Sequence, residues 1–287
     1  MVMSKFFSIL ALAGIVLFFL PQPGFSAEVD GVTVVEQCYY KYWGEDQRTN
    51  LEFTMRNKAG RVTKRRTYVR FWKDYRGEGD LVSKMMLFTT GPPEYIGNNL
   101  LRITYTLASK KPPELWIFIK KLQSVSRLSV REEDNLDWGL NSEDLTIRQI
   151  NEDTHSLLGV EERADHLVYK VESVPTVENS YYGRMVSFFE KRESWDDCAL
   201  SRREYYDKKG RLIKKAAFSW QKVGDAWVNK SIVITIERNN DKKFPEKKKL
   251  HKDTDIIVVT YRFTEPHVNV GLKDRDFSQR SLRRRVR

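Results

Sequence analysis

The chain has 287 residues, 40% hydrophobic and 31% charged, with only 15 Gly and 9 Pro, which excludes collagen-like, low-complexity and multi-span membrane classes. Fifty Lys+Arg against 39 Asp+Glu give a formal charge of +11, a balance that favours an acidic partner such as phosphate, a lipid headgroup or nucleic acid. Two Cys cannot build a disulfide-dense scaffold, so the fold must rest on an apolar core, for which one large β domain has enough material.

At the N-terminus, Lys5 precedes an apolar run from Phe6 to Leu20. Pro21 and Pro23 close the run, and Gly24 and Ser26 offer small residues for cleavage. Basic, apolar, then small is the order of a secretory signal, and the run falls short of the ~20 apolar residues of a membrane-spanning helix. The expectation is a signal peptide over 1–26 and a single exported domain over 27–287, soluble in the periplasm. No Cys follows the small residues, as a lipid-anchored lipoprotein would require. Export permits Cys38 and Cys198 to pair. Two buried free thiols are the alternative and the expected state, because nothing in the sequence brings the two Cα atoms together.

Thr33 followed by Glu36 reads as a capping box, and Val35, Cys38, Tyr39 and Tyr42 fall on one helical face before Gly44. The period then changes to two. Leu51, Phe53 and Met55 alternate with Glu52, Thr54 and Arg56, and a turn holding Gly60 leads into Val62–Trp72, a hairpin. Further strand-like runs follow at Leu81–Thr89, Leu100–Leu107, Leu115–Ile119, Ser124–Val130, Leu167–Val174, Arg184–Phe189, Leu200–Asp207, Leu212–Gln221, Trp227–Arg238 and Ile256–Phe263. Many short runs divided by turn signals argue for one antiparallel sheet of about ten strands, curved into a barrel or sandwich. Leu101, Ile103, Tyr105 and Leu107 face away from Arg102, Thr104 and Thr106, and Ile232, Ile234 and Ile236 are likewise one-sided. Helical material to cover so long an apolar face is scarce: the Thr33 helix, a turn near Pro92–Gly97 and the segment Asp134–Leu158. Either a second layer of strands or a ligand cavity must make up the difference. The six Lys between Lys242 and Lys252 read as a solvated hairpin loop, and Arg280, Arg283, Arg284, Arg285 and Arg287 as a frayed, charged end.

Catalytic signatures are missing. His155, His166, His251 and His267 are scattered, and no HExxH, GxSxG, Walker or GxGxxG pattern occurs. His251 near Asp253 and Asp255 reads as solvated, and Asp134, Asp137, Glu143 and Asp144 as caps and a polar face. No catalytic residue, metal or cofactor is expected, and the chain reads as no enzyme. Arg65, Arg66, Tyr68, Arg70 and Trp72 interleave cations with aromatics as a nucleic-acid track would. They also alternate as the two faces of one strand, and export separates the chain from nucleic acid.

Four stretches carry a family resemblance. Gly91-Pro-Pro-Glu-Tyr-Ile-Gly97 precedes Leu100-Leu101. Glu114-Leu-Trp-Ile-Phe118 leads to Leu122, Val125 and Arg127-Leu128. Gly139 precedes Ser142-Glu-Asp-Leu145. Asp207-Lys-Lys-Gly210 and Lys214, then Trp227, are followed by Asn269-Val-Gly-Leu-Lys-Asp274, Phe277-Ser278 and Leu282. In order and spacing these resemble the LolA-like superfamily, and more closely its branch of outer-membrane lipoprotein-sorting proteins, from about Thr33 to the C-terminus. Trp138-Gly-Leu-Asn141 departs from that family's usual Met-Gly-Ser-Asp.

The resemblance implies a mainly β fold with a few helices: a single strongly curved antiparallel sheet, an unclosed β-barrel lidded by helices. It also implies a periplasmic carrier of lipid or lipoprotein acyl chains, working in outer-membrane lipoprotein sorting or lipid transport. Partners would be an inner-membrane RND-type transporter and an outer-membrane acceptor. The alternative is an exported, non-enzymatic interaction module that docks a membrane or such a permease. Candidates for the apolar cavity lining are Leu51, Phe53, Met55, Val69, Phe71, Leu101, Ile103, Tyr105, Trp116 and Phe118. For Trp116 and Phe118 the choice of face rests on aromatic bulk alone.

Overall fold

The computed structural model describes residues 29–128, 148–177, 180–237 and 256–284. The expected signal segment, the acidic cluster Asp134–Asp144, the Trp138-Gly-Leu-Asn141 motif and the Lys242–Lys252 run lie outside the described residues.

Among the described residues, one α-helix, α1 (Gly31–Tyr39), precedes thirteen strands. These are β1 (Asp46–Asn57), β2 (Val62–Asp74), β3 (Leu81–Gly91), β4 (Asn99–Tyr105), β5 (Glu114–Ile119), β6 (Ser124–Leu128), β7 (Asp153–Glu162), β8 (Leu167–Pro175), β9 (Arg184–Lys191), β10 (Ala199–Tyr206), β11 (Leu212–Val223), β12 (Ala226–Glu237) and β13 (Ile256–Val268). All belong to one sheet in the order β6-β5-β4-β3-β2-β1-β13-β12-β11-β10-β9-β8-β7. Every pairing is antiparallel, and the long-range step that joins the two halves is β1 against β13. The sheet is not closed: β6 and β7 are its edges.

Irregular register bends this sheet. Ladders slip between Arg48 and Asn50, Thr67 and Tyr68, Leu200 and Arg202, and Ser219 and Trp220. An extra residue on one strand of a pair increases local twist and curls the strand, so repeated bulges turn a flat ribbon into a trough. The inner face of that trough is the largest core cluster, with Leu51, Phe53 and Met55 on β1 facing Ile232, Ile234 and Ile236 on β12. Ile234, 1% exposed, shows that the one-sided reading of β12 holds.

The outer face of β2–β5 is also buried. Val69, Met86, Phe88, Leu101 and Phe118 pack under Phe277 and Leu282 of the C-terminal segment. That segment is pinned at both ends. The buried Asp46 carboxylate accepts from the backbone N–H of Val270, Gly271 and Leu272 at 2.8–3.0 Å, and Asn99 Nδ2 donates to the carbonyls of Leu282 and Arg284 at 2.7 and 2.9 Å. The expected fraying therefore stops short of Ser281–Arg284, because Leu282 is fully buried.

Three further expectations change. Helix α1 is capped by Asp30, whose Oδ1 accepts from Thr33 N at 2.8 Å, and it ends at Tyr39, leaving Tyr42 in the following loop. The segment read as helical up to Leu158 contains β7 from Asp153, an edge strand whose Leu158 and Val160 are exposed, which hides its period. Cys38 and Cys198 form a disulfide, with Cα atoms 4.8 Å apart, overturning the expectation of free thiols. The bridge fastens α1 across β8–β10, where Val34, Val35 and Cys38 pack on Tyr169, Val171, Phe189 and Leu200. Gly31 makes the close approach possible, since a Cβ there would meet Leu157 N at 2.8 Å.

Candidate functional site

The trough is incompletely filled. A cavity of about 170 Å³ lies on its inner side. One wall is Leu51 and Phe53 of β1, Tyr68 and Trp72 of β2, and Met85 and Leu87 of β3. The facing wall holds Met185, Leu200, Tyr205, Phe218, Ile232 and Tyr261, drawn from β9 to β13. Tyr39, at the last turn of α1, and Trp43 close in from the helix side. Aromatic pairs stiffen these walls: Phe53–Tyr261 at 5.4 Å, Trp43–Trp220 at 5.1 Å and Tyr182–Tyr205 at 4.8 Å between centroids. In size the space resembles an apolar cavity of ~150 Å³ that stays dry and admits benzene.

Few polar groups interrupt the lining, and they are unlike one another. Arg148 is paired, giving two hydrogen bonds to Asp153 at 2.7 and 2.8 Å, both residues being buried. Arg203 donates from Nε to Ser187 Oγ at 2.9 Å and lies 5.1 Å from the Tyr39 ring. Arg70 donates from Nη1 to Gln47 Oε1 at 2.9 Å, and its guanidinium lies 5.7 and 5.9 Å from the Trp72 and Phe263 ring centroids. Burial pushes its guanidinium down to about 10. Burial also pushes the Tyr68 hydroxyl up to about 12, so it is neutral in physiological water. Asn229 carries a buried side-chain oxygen with no hydrogen-bond partner. Among the described residues that line the cavity there are three Arg and no Asp or Glu.

Two of the histidines, His155 and His166, have structural partners. His155 is held between Ser173 Oγ and the Ile150 carbonyl at 2.9 and 3.0 Å, and His166 lies 2.6 Å from the exposed Asp165 carboxylate. Among the described residues no group of three His, Cys, Asp or Glu side chains is arranged to hold a metal.

The ten expected lining residues separate by face. Leu51 and Phe53 line the cavity, and Met55 belongs to the same inner cluster. Val69, Phe71, Leu101, Ile103, Trp116 and Phe118 lie on the outer face, in the cluster under the C-terminal segment. Tyr105 follows Leu101 and Ile103 by strand alternation, and its hydroxyl reaches Glu114 at 3.2 Å. The physical reason is that β2–β5 are covered on both sides, so an apolar stripe does not say which side holds the space. On β2 the inner stripe is Tyr68, Arg70 and Trp72, a mixed pattern that reads as solvent-facing. The wall from β9 to β13 was also missed. Its sequence signals are the one-sided Ile232, Ile234 and Ile236 and an aromatic density, with Phe218, Trp220, Tyr261 and Phe263 among residues of period two.

Comparison with known proteins agrees with the fold. A family model described as "Uncharacterized protein" matches residues 82–284, and the chain belongs to that family. No curated protein sequence matches it. Among solved structures, a domain described as an outer membrane lipoprotein-sorting protein from Vibrio parahaemolyticus superposes with a TM-score of 0.71 at 20% identity, covering 88% of this chain and 98% of that one. A DUF1329 family protein from Desulfovibrio piger gives 0.72 at 20% identity, over 88% and 97%. A LolA superfamily protein from Nitrosomonas europaea gives 0.61 at 15% identity, over 88% and 99%. The chain has the LolA-like fold: mainly β, one antiparallel sheet that is not closed.

Proposed function

We propose that the protein is a non-enzymatic periplasmic carrier that takes an acyl chain into the trough. The chain would come from a lipid or a lipoprotein, in transit to the outer membrane. One observation carries the reading: the inner face of a sheet built to be buried is left with about 170 Å³ of space, walled by Leu, Met, Phe, Trp and Tyr side chains. Each methylene moved from water into such a space gains about 0.8 kcal/mol, and nothing in the lining demands a small polar substrate. The Vibrio structure is described as a lipoprotein-sorting domain, which suggests the class of cargo. An RND-type transporter and an outer-membrane acceptor are the partners such a carrier would need. The signal-like N-terminus supports export.

The test is direct. The full chain, expressed with its own N-terminal segment and purified without detergent, is extracted into organic solvent and analysed by mass spectrometry. Stoichiometric acyl lipid is the expected result. A clean extract, together with no uptake of an added fluorescent fatty acid, would leave the trough as a core and the protein as an exported interaction module.

A further inference from the structure

The cavity is apolar but not neutral. Its three Arg enter from different walls: Arg70 from β2, Arg148 before β7 and Arg203 from β10. Arg148 is neutralised by Asp153. Among the described residues Arg70 is not: its hydrogen bond goes to an amide oxygen, the Trp72 and Phe263 rings lie 5.7 and 5.9 Å away, and burial lowers its proton affinity. A guanidinium has five N–H donors in a planar fork that matches an oxyanion, and Gln47 accepts from one of its nitrogens. Gln47 cannot turn toward any other donor without cost, because its own Nε2 donates to the Trp43 carbonyl at 2.7 Å. Leaving a cation in an apolar space without a counter-charge is unfavourable, and an arriving anion removes that penalty.

We propose that the trough selects acyl ligands bearing an acid group, and that Arg70 binds that oxyanion while the chain lies along the Phe53–Tyr261 side of the cavity. This rests on the carrier reading and names its ligand class: a single-chain amphiphile with a carboxylate or phosphate head, in preference to a neutral acyl ester. Charge-assisted hydrogen bonds of this kind are about twice as strong as neutral ones, and the half-buried Arg70 is partly shielded from water. Arg203, also in the lining, adds positive potential from the opposite wall. Arg70 would act as a specificity residue: the chain supplies affinity, and the head supplies choice.

Three probes of equal chain length separate the possibilities: decanoate, decyl phosphate and decanol, titrated by calorimetry into the delipidated full chain at pH 7.5. The wild type is expected to bind at least one acid about tenfold or more tighter than decanol. The two acids distinguish a carboxylate from a phosphate source. In Arg70→Gln, the acid and the alcohol should bind within about twofold of each other, while Arg70→Lys keeps part of the preference. Thermal melting of each variant shows whether it is folded, and the wild-type ratio decides the question even where a variant is not. Equal binding of decanoate, decyl phosphate and decanol by the wild type would overturn the head-group inference and leave the carrier intact. Binding of none of them would overturn the carrier itself. A preference for acid that survives in folded Arg70→Gln would move the site away from Arg70 and refute its assignment.

Discussion

The Cys38–Cys198 bridge closes a loop of 160 residues, which makes its removal a sharp perturbation. In the chain-entropy account, cross-linking ends that far apart removes ~17 cal/mol/K from the unfolded ensemble, about 5 kcal/mol at 25 °C. Measured losses for native bridges are typically 2–5 kcal/mol, so the double variant Cys38→Ala/Cys198→Ala should lie in that range below wild type. The effect should also be local. Cys38 sits one residue before Tyr39, which lines the cavity, and α1 has no other covalent hold on β10. Loosening that contact opens one wall, so retention of bound acyl chain should fall with stability. The assay is a denaturant titration of oxidised wild type, both single variants and the double variant, with fluorescent fatty-acid uptake measured under native conditions. The singles should lose as much as the double, because either one abolishes the bridge. Alkylation of two thiols per chain in unreduced, unfolded wild type would refute the reasoning at its root. A double variant within about 1 kcal/mol of wild type would refute its magnitude.

Phe53→Ala and Phe71→Ala should each cost about 3 kcal/mol in the denaturant midpoint, but only Phe53→Ala, on the inner face, should weaken uptake of a fatty acid. Equal loss of uptake in both would mean that the two faces are not separate. Burial holds His155 below its ordinary value, so the unfolded chain binds its proton more readily than the folded one. That contribution to stability is present above about pH 6.5 and is lost as pH falls through the lower folded value. Midpoints between pH 7.5 and 5.5 should therefore fall less steeply in His155→Gln than in wild type, and an unchanged slope would clear His155 of the role. Finally, in a series of fatty acids, affinity should rise about fourfold per methylene up to about seven carbons, judged against the ~150 Å³ space that admits benzene, and flatten beyond. No rise from butanoate to octanoate would show that the chain is not buried in the cavity.

Much of the sheet was legible because antiparallel strands alternate and their turns carry Gly. The Gly60 turn closes the hairpin expected of it, and Gly210 closes another between β10 and β11, both at φ of 76°. What failed was local signal overridden by tertiary context. On β7 most side chains face outward at an edge, and no period betrays a strand that is held by backbone pairing to β8. The disulfide depends on a 4.8 Å Cα separation between residues 160 apart, which only the assembled fold creates. Thr33 and Glu36 match a capping box, yet Asp30, three residues earlier, makes the cap, because α1 must begin at Gly31 to lie against the β7 backbone.

The cavity was misread for a reason that bears on its chemistry. In a one-sided sheet the apolar stripe marks the interior, and Leu101, Ile103, Trp116 and Phe118 form such a stripe. Here the stripe marks the face sealed by Phe277 and Leu282, while the interior of β2 and β4 carries Arg70 and Arg102 among its apolar residues. A trough meant only as a core would have no use for cations on its inner strands, since each must be solvated by something inside. Arg148 is answered by Asp153 within the fold, at the cost of two buried charges. Among the described residues, Arg70 has an amide oxygen and two rings beside it and no carboxylate. Arg70, which broke the apolar pattern of β2, is one of the three Arg that line the cavity, and under the head-group proposal its guanidinium is what separates a packing defect from a binding site.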